Sequence, residues 1–137
     1  MLLPRSQLLP AVNFVAGEPV SPEVRDQIES LWREGHPPQV SPISAWEVGV
    51  LAARGRIILT MAPQTWWEAM IARSGFELAP MPQELLIASS QLPGAPPSDP
   101  AQRIIAATAR EQGLRLVTRN ARLLAYAAGG HLDAVAC

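Results

Sequence analysis

Glu47, Asp99 with Gln102, Asn120, and the region around Arg5 are the points in this chain where side chains could do chemistry. In open α/β sheets, ligands sit outside the carboxyl ends of the strands, so residues just after strands or at helix starts are the informative ones. The groups on offer are carboxylate and carboxamide oxygens with a guanidinium. Each also has an ordinary structural explanation. Ser44-x-x-Glu47 has the form of a capping box. Asp99 before Pro100 is a good N-cap with proline at the first helical position, and Asn120 is an equally ordinary helix starter. His36 in Gly-His-Pro-Pro and His131 after Gly-Gly have no pairing partner in the pattern and read as surface histidines. Trp32, Trp46, Trp66 and Trp67 read as helix-packing residues, not as a base-stacking platform. There is no phosphate-binding glycine loop, Ser/His/Asp arrangement or zinc spacing. Residue types alone therefore lead to a few acids near strand ends and leave the activity open.

The elements that must position these residues alternate along the chain. Ser21-Pro22-Glu23 opens a helix whose apolar positions Val24, Ile28, Leu31 and Trp32 recur at helical spacing, and Gly35 ends it. Gln39 to Ile43 reads as extended, kept from helix by Pro42, and Ser44 begins a second helix to about Arg54. A third helix is expected from Pro63 to Arg73, followed by a turn and a brief strand at Phe76-Glu77-Leu78. Residues 82–91 read as a fourth helix, Asp99-Pro100 launches the clearest one, and Gly113 stops it. Leu114 to Thr118 is a buried-strand candidate, Asn120 starts a last helix through Tyr126, and Val135 lies in a closing strand. Helices alternating with short apolar strands predict an α/β fold with a central, mainly parallel sheet flanked by helices.

Length and composition narrow the function classes. At 137 residues the chain reads as one domain, 1–137. A net charge of −1 provides no overall electrostatic footprint for nucleic acid, so any RNA contact must come from a local basic cluster. The lone cysteine, Cys137, rules out an internal disulfide or a cysteine metal cage, in keeping with a reducing cytoplasm. No apolar run approaches the roughly 18 residues that span a bilayer, so no membrane association is expected. Pro4, Arg5 and Pro10 interrupt residues 1–16, which do not read as a signal peptide.

Three elements together carry a family resemblance. Ser44-Ala45-Trp46-Glu47-Val48, after Val40-Ser41-Pro42-Ile43, resembles the S-x-W-E-[IV] element of VapC-type PIN domains. Leu92-Pro93-Gly94 followed by Asp99-Pro100-Ala101-Gln102-Arg103-Ile104-Ile105-Ala106-Ala107-Thr108-Ala109 is similar to their LPx…DPxDRxIxATA element. Leu116-Val117-Thr118-Arg119-Asn120 with Arg122-Leu123-Leu124-Ala125-Tyr126 resembles their LVTRDxxLxxY ending. Order and spacing match over most of residues 16–128.

The resemblance implies a PIN-like three-layer fold in which acids hold Mg²⁺ or Mn²⁺ and RNA is cut by a metal-activated water. It implies a toxin of a type II toxin–antitoxin system, a cognate VapB-like antitoxin that silences it, and often a homodimer, for which the tryptophan-bearing helices are candidates. Carried over residue by residue, Glu47 and Asp99 are metal ligands, and Asn120 is a neutral ligand or a water-orienting group. Arg103 or Arg119 would hold the RNA phosphate. Gln102 stands where the family usually has aspartate and is a weak substitute, and Asn120 stands where aspartate is common although asparagine occurs. An ungapped match of Leu2–Pro10 to LLLDTHxLLW puts Arg5 in place of the first metal-binding aspartate, where a guanidinium repels a cation. Pro4 would also remove a donor from a central strand. The alternative is a PIN fold without catalysis that binds antitoxin.

Overall fold

Strands and helices alternate through the computed structural model, which describes the backbone of Gln7 and Leu8 and residues 21–136. In chain order they are β1 (Gln7–Leu8), α1 (Pro22–Arg33), β2 (Gln39–Val40), α2 (Ile43–Ala53), α3 (Pro63–Ser74), β3 (Glu77–Leu78), α4 (Gln83–Ser90), α5 (Pro100–Gln112), β4 (Arg115–Thr118), α6 (Ala121–Ala128) and β5 (Ala134–Ala136). The strands form one sheet in the order β3-β2-β1-β4-β5, and every pairing is parallel. Leu8 is in register with Gln39 on one side and Leu116 on the other, so β1 is the central strand. The chain runs outward from β1 through β2 and β3, then crosses back to β4 and β5. The strand order therefore reverses beside β1, the place where such sheets open a crevice at their carboxyl ends.

Alternation along β4 makes the three layers. Leu116 packs with Ile105, Ala106 and Ala109 of α5 and Leu123 of α6. The next residue, Val117, points to the other face and packs with Val24 and Ile28 of α1 and with Phe76. A parallel sheet covered on both faces needs such continuously apolar strands. The alanine-rich stretch Ala106-Ala107-Thr108-Ala109 is buried throughout, and its small side chains let α5 lie close against the sheet. A third cluster joins Val40 of β2 and Val48 of α2 to Trp66, Trp67, Met70 and Ile71 of α3.

Local chemistry explains the helix ends. Ser21 Oγ accepts the Val24 N–H at 3.4 Å, and Pro22 opens α1. Its buried face is Val24, Ile28 and Leu31, each worth about 2 kcal/mol when removed from water. Gly75 ends α3 at φ 73°, a left-handed conformation that favours glycine. A Cβ there would also stand 3.1 Å from the Trp32 ring, which itself rests on Phe76 at 5.7 Å between centroids.

Three expectations from the sequence are corrected. The extended stretch is only Gln39–Val40, because Pro42 adopts helical angles and serves as the N-cap of α2 instead of blocking it. Trp46 is 58% exposed, so it does not pack between helices, whereas Trp66 and Trp67 do. His131 is not an unpaired surface residue: its ring stacks on Tyr126 at 4.7 Å, and its carbonyl accepts a hydrogen bond from Arg110. Arg5 and Pro4 lie outside the described residues.

Candidate active site

Glu47 sits in the middle of α2, one position before the buried Val48, and is itself half-buried. The capping-box explanation for it fails. Helix α2 starts at Ile43, ahead of Ser44, and it is Ser41 whose Oγ accepts the Ile43 N–H at 3.2 Å. Ser44 lies inside the first turn, buried, and caps nothing with its side chain. Helix α2 packs against α5, and this contact brings Glu47 near Asp99. Burial raises the Glu47 carboxyl above its ordinary value, and the negative charge of Asp99 raises it further.

Asp99 is the N-cap of α5, exposed, with Oδ1 accepting the Ala101 N–H at 3.3 Å. That bond leaves Oδ2 outside the cap, so capping and ligand roles are compatible. Asn120 caps α6 with the same chemistry. Its Oδ1 accepts the N–H groups of Arg122 and Leu123, each at 3.0 Å, while Thr118 Oγ1 accepts the Asn120 N–H at 3.1 Å. With Oδ1 committed twice, the Nδ2 amide is the group left to act on a neighbour. Gln102 lies one turn along α5 from Asp99 and is half-buried.

The two arginines assigned to phosphate differ in setting. Arg103 is half-buried and its Nη1 donates to the Ser89 carbonyl at 3.4 Å, tying α5 to the end of α4. Arg119 is exposed between β4 and α6. Sequence reasoning gave no role to Arg122, whose Nη1 donates to Ser98 Oγ at 3.3 Å, beside Asp99. Its place two residues after the cap Asn120 was the available signal.

No group of three or more His, Cys, Asp or Glu side chains that could hold a metal ion occurs among the described residues. The sequence adds that residues 1–17 contain no aspartate or glutamate. Glu47 and Asp99 are therefore an acid pair, with the Gln102 carboxamide one turn along α5 from Asp99. This donor set fits Mg²⁺ in one respect: that ion is often held by one or two carboxylates, with waters and substrate phosphate completing its shell.

Comparison with known proteins extends the picture. The family model of the PIN domain matches residues 11–129. Over 87 residues the chain is 33% identical to ribonuclease VapC22 of Mycobacterium tuberculosis, a match covering 64% of this chain and 65% of that protein, a little under two thirds of its length. The crystal structure of FitAcB from Neisseria gonorrhoeae shares the fold at a TM-score of 0.53 and 18% identity, covering 93% of this chain and 94% of that one. No described helix is long and apolar enough to cross a membrane.

Proposed function

The chain belongs to the PIN domain family, in its VapC-like branch, and from that premise we propose that it is the toxin of a type II toxin–antitoxin pair, an Mg²⁺- or Mn²⁺-dependent endoribonuclease of reduced activity. The observation that carries this reading is the meeting of Glu47 and Asp99. They come from distant parts of the sequence to one place, where burial first and the Asp99 charge second raise the Glu47 carboxyl above its ordinary value. A cation relieves the repulsion between two carboxylates brought together in this way, and acids shifted by burial and a like charge cluster at functional sites.

Glu47 and Asp99 would hold the ion, with Gln102 as a weak oxygen donor in place of a third acid. When bound, the ion supplies a water activated for attack and stabilisation of charge on the phosphate. Asn120, whose Oδ1 is engaged in the cap, would offer its Nδ2 amide as a donor to orient the attacking water. Arg103 and Arg119 hold the RNA backbone phosphates. The partner is a cognate VapB-like antitoxin, the compartment is the cytoplasm, and two copies associate through the helix that presents exposed Trp46.

The test is Mn²⁺ binding by calorimetry together with RNA cleavage, on the parent chain and on Glu47→Gln and Asp99→Asn. Binding and weak cleavage in the parent, both lost in each variant, support the reading. Cleavage unchanged in either variant overturns the site.

A second reading has its own observation. With two acids meeting among the described residues and none in the sequence of residues 1–17, the fold can serve as a non-catalytic sink for antitoxin. A parent chain that binds antitoxin but neither Mn²⁺ nor RNA selects it.

A further inference from the structure

A cavity of about 390 Å³ lies between the loop Ala95-Pro96-Pro97 and helix α6. That size is within the range in which small ligands are held. Arg122, Ala125 and Tyr126 line it from α6, with Gly129 and His131 beyond. Among the described residues no acid lines it, and the charged group there is the Arg122 guanidinium. A second cavity, lined in part by Arg110, Glu111 and Asp133, has mixed charge and lacks this preference.

The walls are fixed by side chains. Tyr126 donates its hydroxyl to the Pro93 carbonyl, and His131 stacks on the Tyr126 ring at an interplanar angle of 21°. The His131 ring fills the space beside Gly94 so closely that a Cβ there would clash with Nε2. Arg122 reaches across to Ser98 Oγ. The loop that delivers Asp99 is thus pinned at both ends to α6, and the cavity is preformed. It adjoins the acid pair through the chain itself: Pro97 is followed by Ser98 and Asp99, and Arg122 is preceded in the same turn by Asn120.

We propose that this cavity is a ribonucleotide subsite, taking the nucleotide next to the phosphate that Glu47 and Asp99 address. Arg122 engages the phosphate, and the Tyr126–His131 pair with Pro97 forms the wall against the sugar and base. The net charge of −1 requires a local device for binding RNA, and a cavity whose described lining carries an arginine and no acid, close in the chain to Asp99, is one. The proposal rests on the ribonuclease reading above.

The experiment measures binding of a fluorescein-labelled, mixed-sequence single-stranded RNA by anisotropy, with EDTA present so that nothing is cleaved. Four chains are compared: the parent, Arg122→Gln, Ala125→Phe to fill the cavity from an exposed helical position, and Arg73→Gln, which removes one exposed positive charge at the end of α3, away from the cavity lining. The expected result is a loss of roughly tenfold in affinity for Arg122→Gln, with the salt slope lower by about one. Ala125→Phe should lose a similar factor at unchanged salt slope, and Arg73→Gln should stay within about twofold of the parent. Thermal midpoints of all four should agree. If the parent binds RNA and both Arg122→Gln and Ala125→Phe bind it equally well, the subsite is wrong while the ribonuclease reading stands. If the parent binds no RNA, that reading falls and takes the subsite with it. Unchanged RNA binding with weakened binding of antitoxin would make the cavity a protein-docking pocket and overturn the proposal.

Discussion

The carboxyl groups of Glu47 and Asp99 interact across the packing of α2 on α5, and the Asp99 charge, added to burial, holds the Glu47 carboxyl above its ordinary value. For an acid shifted in this direction, the folded state binds protons more tightly than the unfolded one. Stability is then unpenalised below the ordinary glutamate value near pH 4.3 and falls as pH rises through the raised value. We expect Glu47→Gln to melt at a higher temperature than the parent at pH 7 and at the same temperature below about pH 4. Calorimetric scans across pH read this directly. An unchanged pH profile in the variant would remove Glu47 as the source.

Mn²⁺ should reverse the penalty. A ligand that binds the folded state alone raises its stability, so millimolar Mn²⁺ should raise the melting temperature of the parent and leave Glu47→Gln unmoved. Equal shifts in both chains would locate the ion elsewhere.

Asp99 has two roles that substitutions separate. Asp99→Ala removes the cap of α5 and should cost about 1 kcal/mol of stability. Asp99→Asn keeps a capping oxygen and removes the charge, so it should melt near the parent while losing Mn²⁺ binding. The Glu47 carboxyl, read by NMR titration, should move down toward its ordinary value in Asp99→Asn. If it does not, the two groups are not coupled.

Gln102→Asp places a third carboxylate one turn from Asp99. Metal affinity follows ligand charge count, so Mn²⁺ binding should tighten by roughly tenfold. Calorimetry gives the number. No gain would mean that Gln102 does not face the acid pair.

Gly94→Ala tests the pinned loop. The residue has φ 73° and its missing Cβ is replaced by the His131 ring. The substitution should cost about 2–3 kcal/mol, of which the left-handed backbone accounts for about 1–2 kcal/mol. In a His131→Ala background the steric part should vanish and the backbone part remain. Chemical denaturation of the four chains of this cycle separates the two.

Much of the fold was legible because its signals act within one turn of chain. Ser21, Asp99 and Asn120 cap the helices that their side-chain chemistry predicts, and the strand expected at Leu114 to Thr118 forms at Arg115–Thr118. Local rules failed where two of them competed. Ser44-x-x-Glu47 matches a capping box, but Pro42 in helical geometry starts α2 earlier and leaves the Ser44 hydroxyl inside. Trp46 shares the composition of its buried neighbours yet is exposed, because a helix apolar around most of its circumference does not announce which face meets α5.

The amino-acid order by itself determined the helix caps, the alternation of strands and helices, the family resemblance and the shortage of acids, since residues 1–17 hold none wherever they lie. Only the tertiary structure decided that Glu47 meets Asp99, that Tyr126 and His131 hold the loop in front of α5, and that Arg122 lines a cavity beside the acids. Capping and turn chemistry are settled by neighbours a few bonds away. Contacts between α2, α5 and α6 depend on how the whole core packs on both faces of the sheet, a sum over many weak interactions that no short stretch of sequence contains.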